Sequence, residues 1–426
     1  MKSSVLLRPI LCTIFACVLS LIAVRPSTAQ TQVQSGEIII SELRLSGPGG
    51  ADDEFIEFYN ATDRDIVVQS VDGSGGWGLS ASDGVVRFVI PDGTLIPARR
   101  HLLAANSNGY SLAGHPAGTN TDPNTAQGAP FTTATPDISY QLGIPEGSGV
   151  ALFSSARPAN QTLANRLDAF GFSNTPERFR EGTGFPILPI AQSESSLYRD
   201  LRTGGFPKDT NDNSSDFVLV NVAPATSGEV LGAPAPENLS SPIQRNGQIG
   251  AAPLDPSISP SQPPNRERRP NVVPNGNLGT LIFRRTYTNN TGAPVTRLRF
   301  RVINITTIGT ENTCGGVICA DVRALSSSDG ESGSPNIGVV TVRGVRLEEP
   351  PAQPNGGGFN SSLSADFVTL ATPLPPGESV NIQFVLGVMR AGTFRFFFNI
   401  EADTAPPATT LVRSTILTPT TTLTRR

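Results

Sequence analysis

Beyond residue 30 the apolar residues of this chain come in short runs, each closed within a few positions by glycine, proline, asparagine or aspartate. Gly 42 and Pro 37 supply most of those breaks, and the runs favour β-branched and aromatic residues. A helical period of 3.6 has little room to develop, so short strands are the elements left. The expectation is an all-β chain. Arg297-Leu298-Arg299-Phe300-Arg301-Val302 shows the two-residue period most plainly, with Leu298, Phe300 and Val302 on one face and three arginines on the other, which reads as a strand with one wet face. Val380, Ile382, Phe384 and Leu386 repeat the pattern, as do Phe394, Phe396, Phe398 and Ile400.

The N-terminus is a different kind of segment. Lys2 and Arg8 precede an apolar run from Leu11 to Val24, followed by Ser27-Thr28-Ala29, the order of a signal peptide cleaved after Ala29. As a helix that run would be about 21 Å long, short of the roughly 30 Å hydrocarbon core of a membrane. The expectation is therefore a secreted protein (periplasmic, cell-surface or extracellular) with no transmembrane segment after cleavage. Loss of the signal takes Cys12 and Cys17 with it and leaves Cys314 and Cys319 in C-G-G-V-I-C, which in an exported chain reads as a disulfide. The whole chain carries 32 Lys+Arg against 36 Asp+Glu. Removing the three basic residues of the signal makes it more acidic still, so nucleic acid is not an expected partner.

From Pro224 to Pro274 there are 11 prolines, interleaved with small polar residues and almost no apolar periodicity. Such a stretch reads as a semi-rigid spacer. The expected organisation is a β-sandwich at 36–232, a Pro-rich linker at 233–274, a second immunoglobulin-like sandwich at 275–412 and a disordered tail at 413–426. Ala113–Pro136 reads as a long surface loop or flap.

The first sandwich carries a resemblance. I-I-I-S-E-L, then Glu54-Phe55-Ile56-Glu57-Phe58-Tyr59-Asn60, then G-W-G-L around Trp77, then F-V-I-P-D-G-T-L-I-P-A-R-R-H-L-L-A-A-N-S follow one another in order. Leu167-Asp168-Ala169-Phe170-Gly171-Phe172, Ser196-Leu197-Tyr198-Arg199, Asp209–Asn213 and Asp216-Phe217 complete the series. Together these resemble the bacterial secreted type of lamin tail domain over about residues 36–228. The resemblance implies an immunoglobulin-like sandwich used in exported proteins as an accessory or attachment module, often beside nucleases, phosphoesterases or adhesive repeats.

Catalytic candidates are few. The chain has two histidines, His101 in an expected strand and His115 in a glycine-rich loop, and both read as structural or merely exposed. No nucleophile elbow, zinc-binding helix or phosphate loop occurs. Asp52, Asp53, Glu54 and Glu57 read as a solvated turn entering a strand rather than as a glycosidase pair. Trp77 reads as a core residue. The one ligand-like segment is Asp209, Asn211, Asp212, Asn213 and Asp216, whose oxygens alternate as calcium requires, although the same residues could cap local backbone N–H groups. Calcium is thus the one cofactor to weigh, and no catalytic residue is expected. The function expected is a non-enzymatic binding or scaffold protein that attaches to a protein or to a cell-envelope or matrix component. The alternative is a secreted, metal-assisted phosphoester or glycoside hydrolase using the acidic residues of the first domain.

Overall fold

Ile38–Arg44 and Phe55–Asn60 pair antiparallel, with Ile38 opposite Asn60 and Arg44 opposite Phe55, across a bulge between Ile40 and Glu42. Alternation does the rest: Ile40, Leu43, Ile56 and Phe58 turn into one hydrophobic cluster, and their neighbours turn outward. The computed structural model describes residues 32–116, 132–187, 192–201, 204–225 and 228–405. The expected signal peptide, the centre of the long loop and the C-terminal tail lie outside the described residues.

These two strands lie within a seven-stranded sheet, in the order Glu229–Leu231, Phe217–Asn221, Ser195–Arg199, Ile38–Arg44, Phe55–Asn60, His101–Asn106, Ile138–Tyr140. A four-stranded sheet shares the hydrophobic cluster with it, in the order Arg166–Phe170, Val150–Phe153, Gly76–Ala81, Val86–Pro91. Trp77 is fully buried there, and its indole N–H donates to the Gln69 carbonyl at 2.9 Å.

The second half builds another pair of sheets. One runs Ile243–Gln244, Phe396–Thr404, Val295–Ile305, Ser362–Ser364, Arg346–Leu347, and the other runs Ile249–Pro253, Thr280–Asn289, Ser379–Arg390, Asp321–Leu325, with Arg266–Arg269 also on Thr280–Asn289. Tyr287, Phe300, Phe384 and Phe398 fill the space between them, with Phe300 and Phe384 edge to face at 4.9 Å. The chain is all-β, as expected. Cys314 and Cys319 are disulfide-bonded, with Cα atoms 5.5 Å apart. Among the described residues no helix is long and apolar enough to cross a membrane.

Two expectations fail here. Residues 233–274 are not an open spacer: Ala233, Ala235, Glu237, Asn238 and Ser241 are buried, and three strands of this segment pair with the second half. Those strands lie on sheet edges, where proline is tolerated because one side of the backbone needs no partner. Hydrogen bonds then run on into the second half, from Leu231 N–H to Ile308 and from Phe359 N–H to Leu231. Backbone contacts group Val33 onward as one unit. The second failure is the arginine face. Arg297, Arg299 and Arg301 are all at least 95% buried, because that face looks toward the first half and not into solvent.

Candidate functional site

The outer face of the seven-stranded sheet presents Glu42, Glu57, His101 and Tyr198, while the outer face of the second half presents Arg299, Arg301, Asn399 and Glu401. Between them runs the stretch carrying Glu237. Strand register explains the second set, since Arg297 stands opposite Asp403, Arg299 opposite Glu401 and Arg301 opposite Asn399.

Glu237 is the junction. Its backbone N–H donates to Glu57 at 2.6 Å, and its carboxylate meets Arg299, Arg301 at 3.1 Å and His101 Nε2 at 3.1 Å. The other ring nitrogen of His101 lies 2.8 Å from Glu57. Glu401 accepts from both Arg299 and Arg301, and Arg299 also lies 3.6 Å from Glu348. Glu42 accepts from Ser196 and from Asn360 at 3.0 Å. The cavity left among these groups is about 40 Å³, room for a few water molecules.

Burial at this density moves proton affinities in both directions. Burial opposes charge on Glu237, yet Arg299, Arg301 and His101 hold it down at about 2. Glu348 is likewise held at about 2, against its burial, by Arg299, Arg297 and His115. Glu42, with weaker cationic help, is pushed up to about 8 by burial and by Glu57. His101 is partly buried, which disfavours its charge, but Glu237 and Glu57 overcome that and raise it. His115 is pushed down to about 3 by burial, with Glu348 3.8 Å away and no hydrogen bond to either ring nitrogen among the described residues.

The structure leaves Asp52 in an exposed turn but corrects the solvated reading for the other three acidic residues. Asp53, Glu54 and Glu57 are at most 2% exposed. Asp53 pairs with Arg44 and Ser111, Glu54 accepts from Asn106 at 2.9 Å and from Ile144 N–H, and Glu57 belongs to the cluster above. They share no cleft, because each is taken up by different partners and only Glu57 lies within the strand. Phe55 packs with Leu103, Ala105, Leu112 and Ala134 on the outer face, Ile56 packs inward, Tyr59 tilts against His101, and Asn60 caps the Arg64 turn. The ends of the long loop are not surface flaps either, since His115, Thr133 and Ala134 are buried.

The Asp209–Asp216 residues divide their work. Asp212 caps the turn Asn213–Asp216 through the Ser214 N–H, and Asp216 accepts from Thr210. Asn213 bridges Gly171 N–H, Glu181 N–H and the Ala169 carbonyl. Asn211 takes a positive φ of 56° and donates its N–H to Asp209. Their three carboxylates do not gather at one point, and only Asp209 joins a close acidic group, with Asp168 and Glu181. Asp209 and Asp216 gather with Asp168 on Arg199, which lies 2.8 Å from Asp168, 3.6 Å from Asp209 and 3.5 Å from Asp216. Sequence motifs far apart in the chain therefore meet at one guanidinium.

Sequence reasoning missed Glu42, Glu237, Arg299, Arg301, Glu348 and Glu401. A signal existed for some of them: arginines at 297, 299 and 301 are matched by polar Asn399, Glu401 and Asp403 at the same period.

No known protein family matches this chain, and no curated protein does. A DUF4876 family protein from Bacteroides thetaiotaomicron VPI-5482, solved by crystallography, is similar over 43% of this chain and 71% of its own, at 11% identity and a TM-score of 0.26. A likeness this faint decides neither fold family nor function.

Proposed function

We propose that this is an exported, non-enzymatic binding or scaffold protein, in which a lamin-tail-like first sandwich and a second immunoglobulin-like sandwich form one rigid body that attaches to a protein or to a cell-envelope or matrix component. The observation that supports this reading best is the pairing of Glu57, His101, Glu237, Arg299, Arg301 and Glu401 with one another inside the molecule. Groups that could do acid–base chemistry in an open cleft here hold two sheets in a fixed relation. A fixed relation suits presentation of loops to a partner.

The test combines capture and turnover with the full chain. Immobilised protein should retain the same envelope or matrix component saturably, and purified protein should leave phosphoester and glycoside substrates intact with and without calcium. Metal-dependent turnover that is lost in Asp53→Ala or Asp212→Ala would replace this reading with the hydrolase.

A further inference from the structure

The second close acidic group, Asp168, Glu181 and Asp209, is balanced differently from the first. One carboxylate oxygen of each lies within 4.8 Å of the others. Asp216 stands beside them, 3.5 Å from Arg199. Four carboxylates thus face three cations: Arg199, Arg166 at 3.5 Å from Glu181, and Lys208 at 3.9 Å from Asp216. Arg199 cannot turn to serve them all. Its Nε donates to the Ile40 carbonyl at 2.7 Å and Nη1 to the Lys208 carbonyl at 3.1 Å, while the guanidinium stacks on Phe217 at 4.6 Å.

Glu181 is the member with least help: it is 2% exposed, Arg166 reaches only its Oε1, its nearest side-chain partner is another carboxylate, Asp168, and its Oε2 is buried with no donor among the described residues. A buried carboxylate oxygen lacking a donor is costly, and native structures rarely tolerate one unless something binds it. The other two members have oxygens already in use: Asp168 Oδ2 accepts from Ile40 N–H and Arg199, and Asp209 Oδ1 from Asn211 N–H.

We infer that Asp168, Glu181 and Asp209 hold a calcium ion. All-oxygen, carboxylate-rich donors are the chemistry of a hard divalent cation, and no nitrogen or sulfur ligand belongs to this group. The three come from separate segments: Asp168 from the Arg166–Phe170 strand, Glu181 from the loop after it, and Asp209 from the stretch leading into Phe217–Asn221. Gly36 lies beside Asp209 and donates its N–H to Leu167. A bound ion would therefore tie the start of the first described strand to three later segments. The site differs from the Asp209–Asp216 loop considered from sequence, with which it shares only Asp209, and it does not depend on the proposed function. The competing account is a proton held between Glu181 and Asp168.

Full-length protein stripped with EDTA and titrated with calcium chloride in a calorimeter separates the two. The expected result is one calcium per chain, with an affinity in the range of about 10⁻⁴–10⁻³ M usual for extracellular modules, and a melting temperature that rises with calcium and much less with magnesium. Glu181→Gln and, as a gentler change at a more exposed position, Asp209→Asn should each weaken binding by about tenfold or more. No heat and no thermal shift in the unaltered chain would establish the shared proton and overturn the inference. Calcium binding that both variants retain at full affinity would overturn it too, by placing the ion elsewhere.

Discussion

Arg299 meets Glu237, Glu348 and Glu401 at once. Truncating one partner of a buried ionic set leaves the others charged and desolvated, so Arg299→Ala should cost about 3–5 kcal/mol. A urea titration that finds less than about 1 kcal/mol would show that water reaches the cluster. The same residues set the pH response. Glu237 and Glu348 sit at about 2 in the folded chain against an ordinary value of 4.5, so the stability they contribute is complete above 4.5 and is lost as pH falls toward 2. Glu42, at about 8, has the opposite sign, and its contribution is complete below 4.5 and lost as pH rises through 8. The melting temperature should peak at mildly acidic pH, and Glu42→Gln should flatten its alkaline decline. An unchanged decline in that variant would acquit Glu42. Cys314→Ser opens a loop worth about 2 kcal/mol and should lower the melting temperature slightly. Two reactive thiols in unreduced, denatured protein would rule the bond out.

At the level of elements, most strand positions were legible because the two-residue period survives wherever one face is apolar. Val295–Ile305, Ser379–Arg390 and Phe396–Thr404 all fall where alternation placed strands. What sequence could not reveal was the destination of the polar faces. A row of arginines looks the same whether it meets water or a row of glutamates from another element, and the period alone does not distinguish the two. The Pro-rich stretch misled for a related reason: low apolar content argues against a core of its own, but not against serving as edge strands for someone else's. Its buried part, residues 233–242, should accordingly resist limited proteolysis in the native chain. An early cut there would restore the spacer.

At the scale of the molecule, the two hydrophobic clusters are separate, yet the layer between them is built from charged groups with no solvent-facing alternative. Glu42, Glu57 and Tyr198 on one side and Arg299, Arg301 and Glu401 on the other would be left uncovered if the halves parted. Scanning calorimetry of the full chain should therefore show one cooperative transition rather than two. Two resolved transitions, each reproduced by an isolated half, would mean that the charged layer forms after both halves fold and adds little.

The first and last described strands, Ile38–Arg44 and Phe396–Thr404, both lie inside their sheets, with a neighbour on each side. Tension applied along either strand meets ladders whose hydrogen bonds run across the direction of pull, so the bonds on both flanks bear the load together instead of opening one by one. For a protein strung between two anchoring points, this is the arrangement that resists rupture. Single-molecule stretching from the two ends should give a high initial force peak rather than a gradual unzipping.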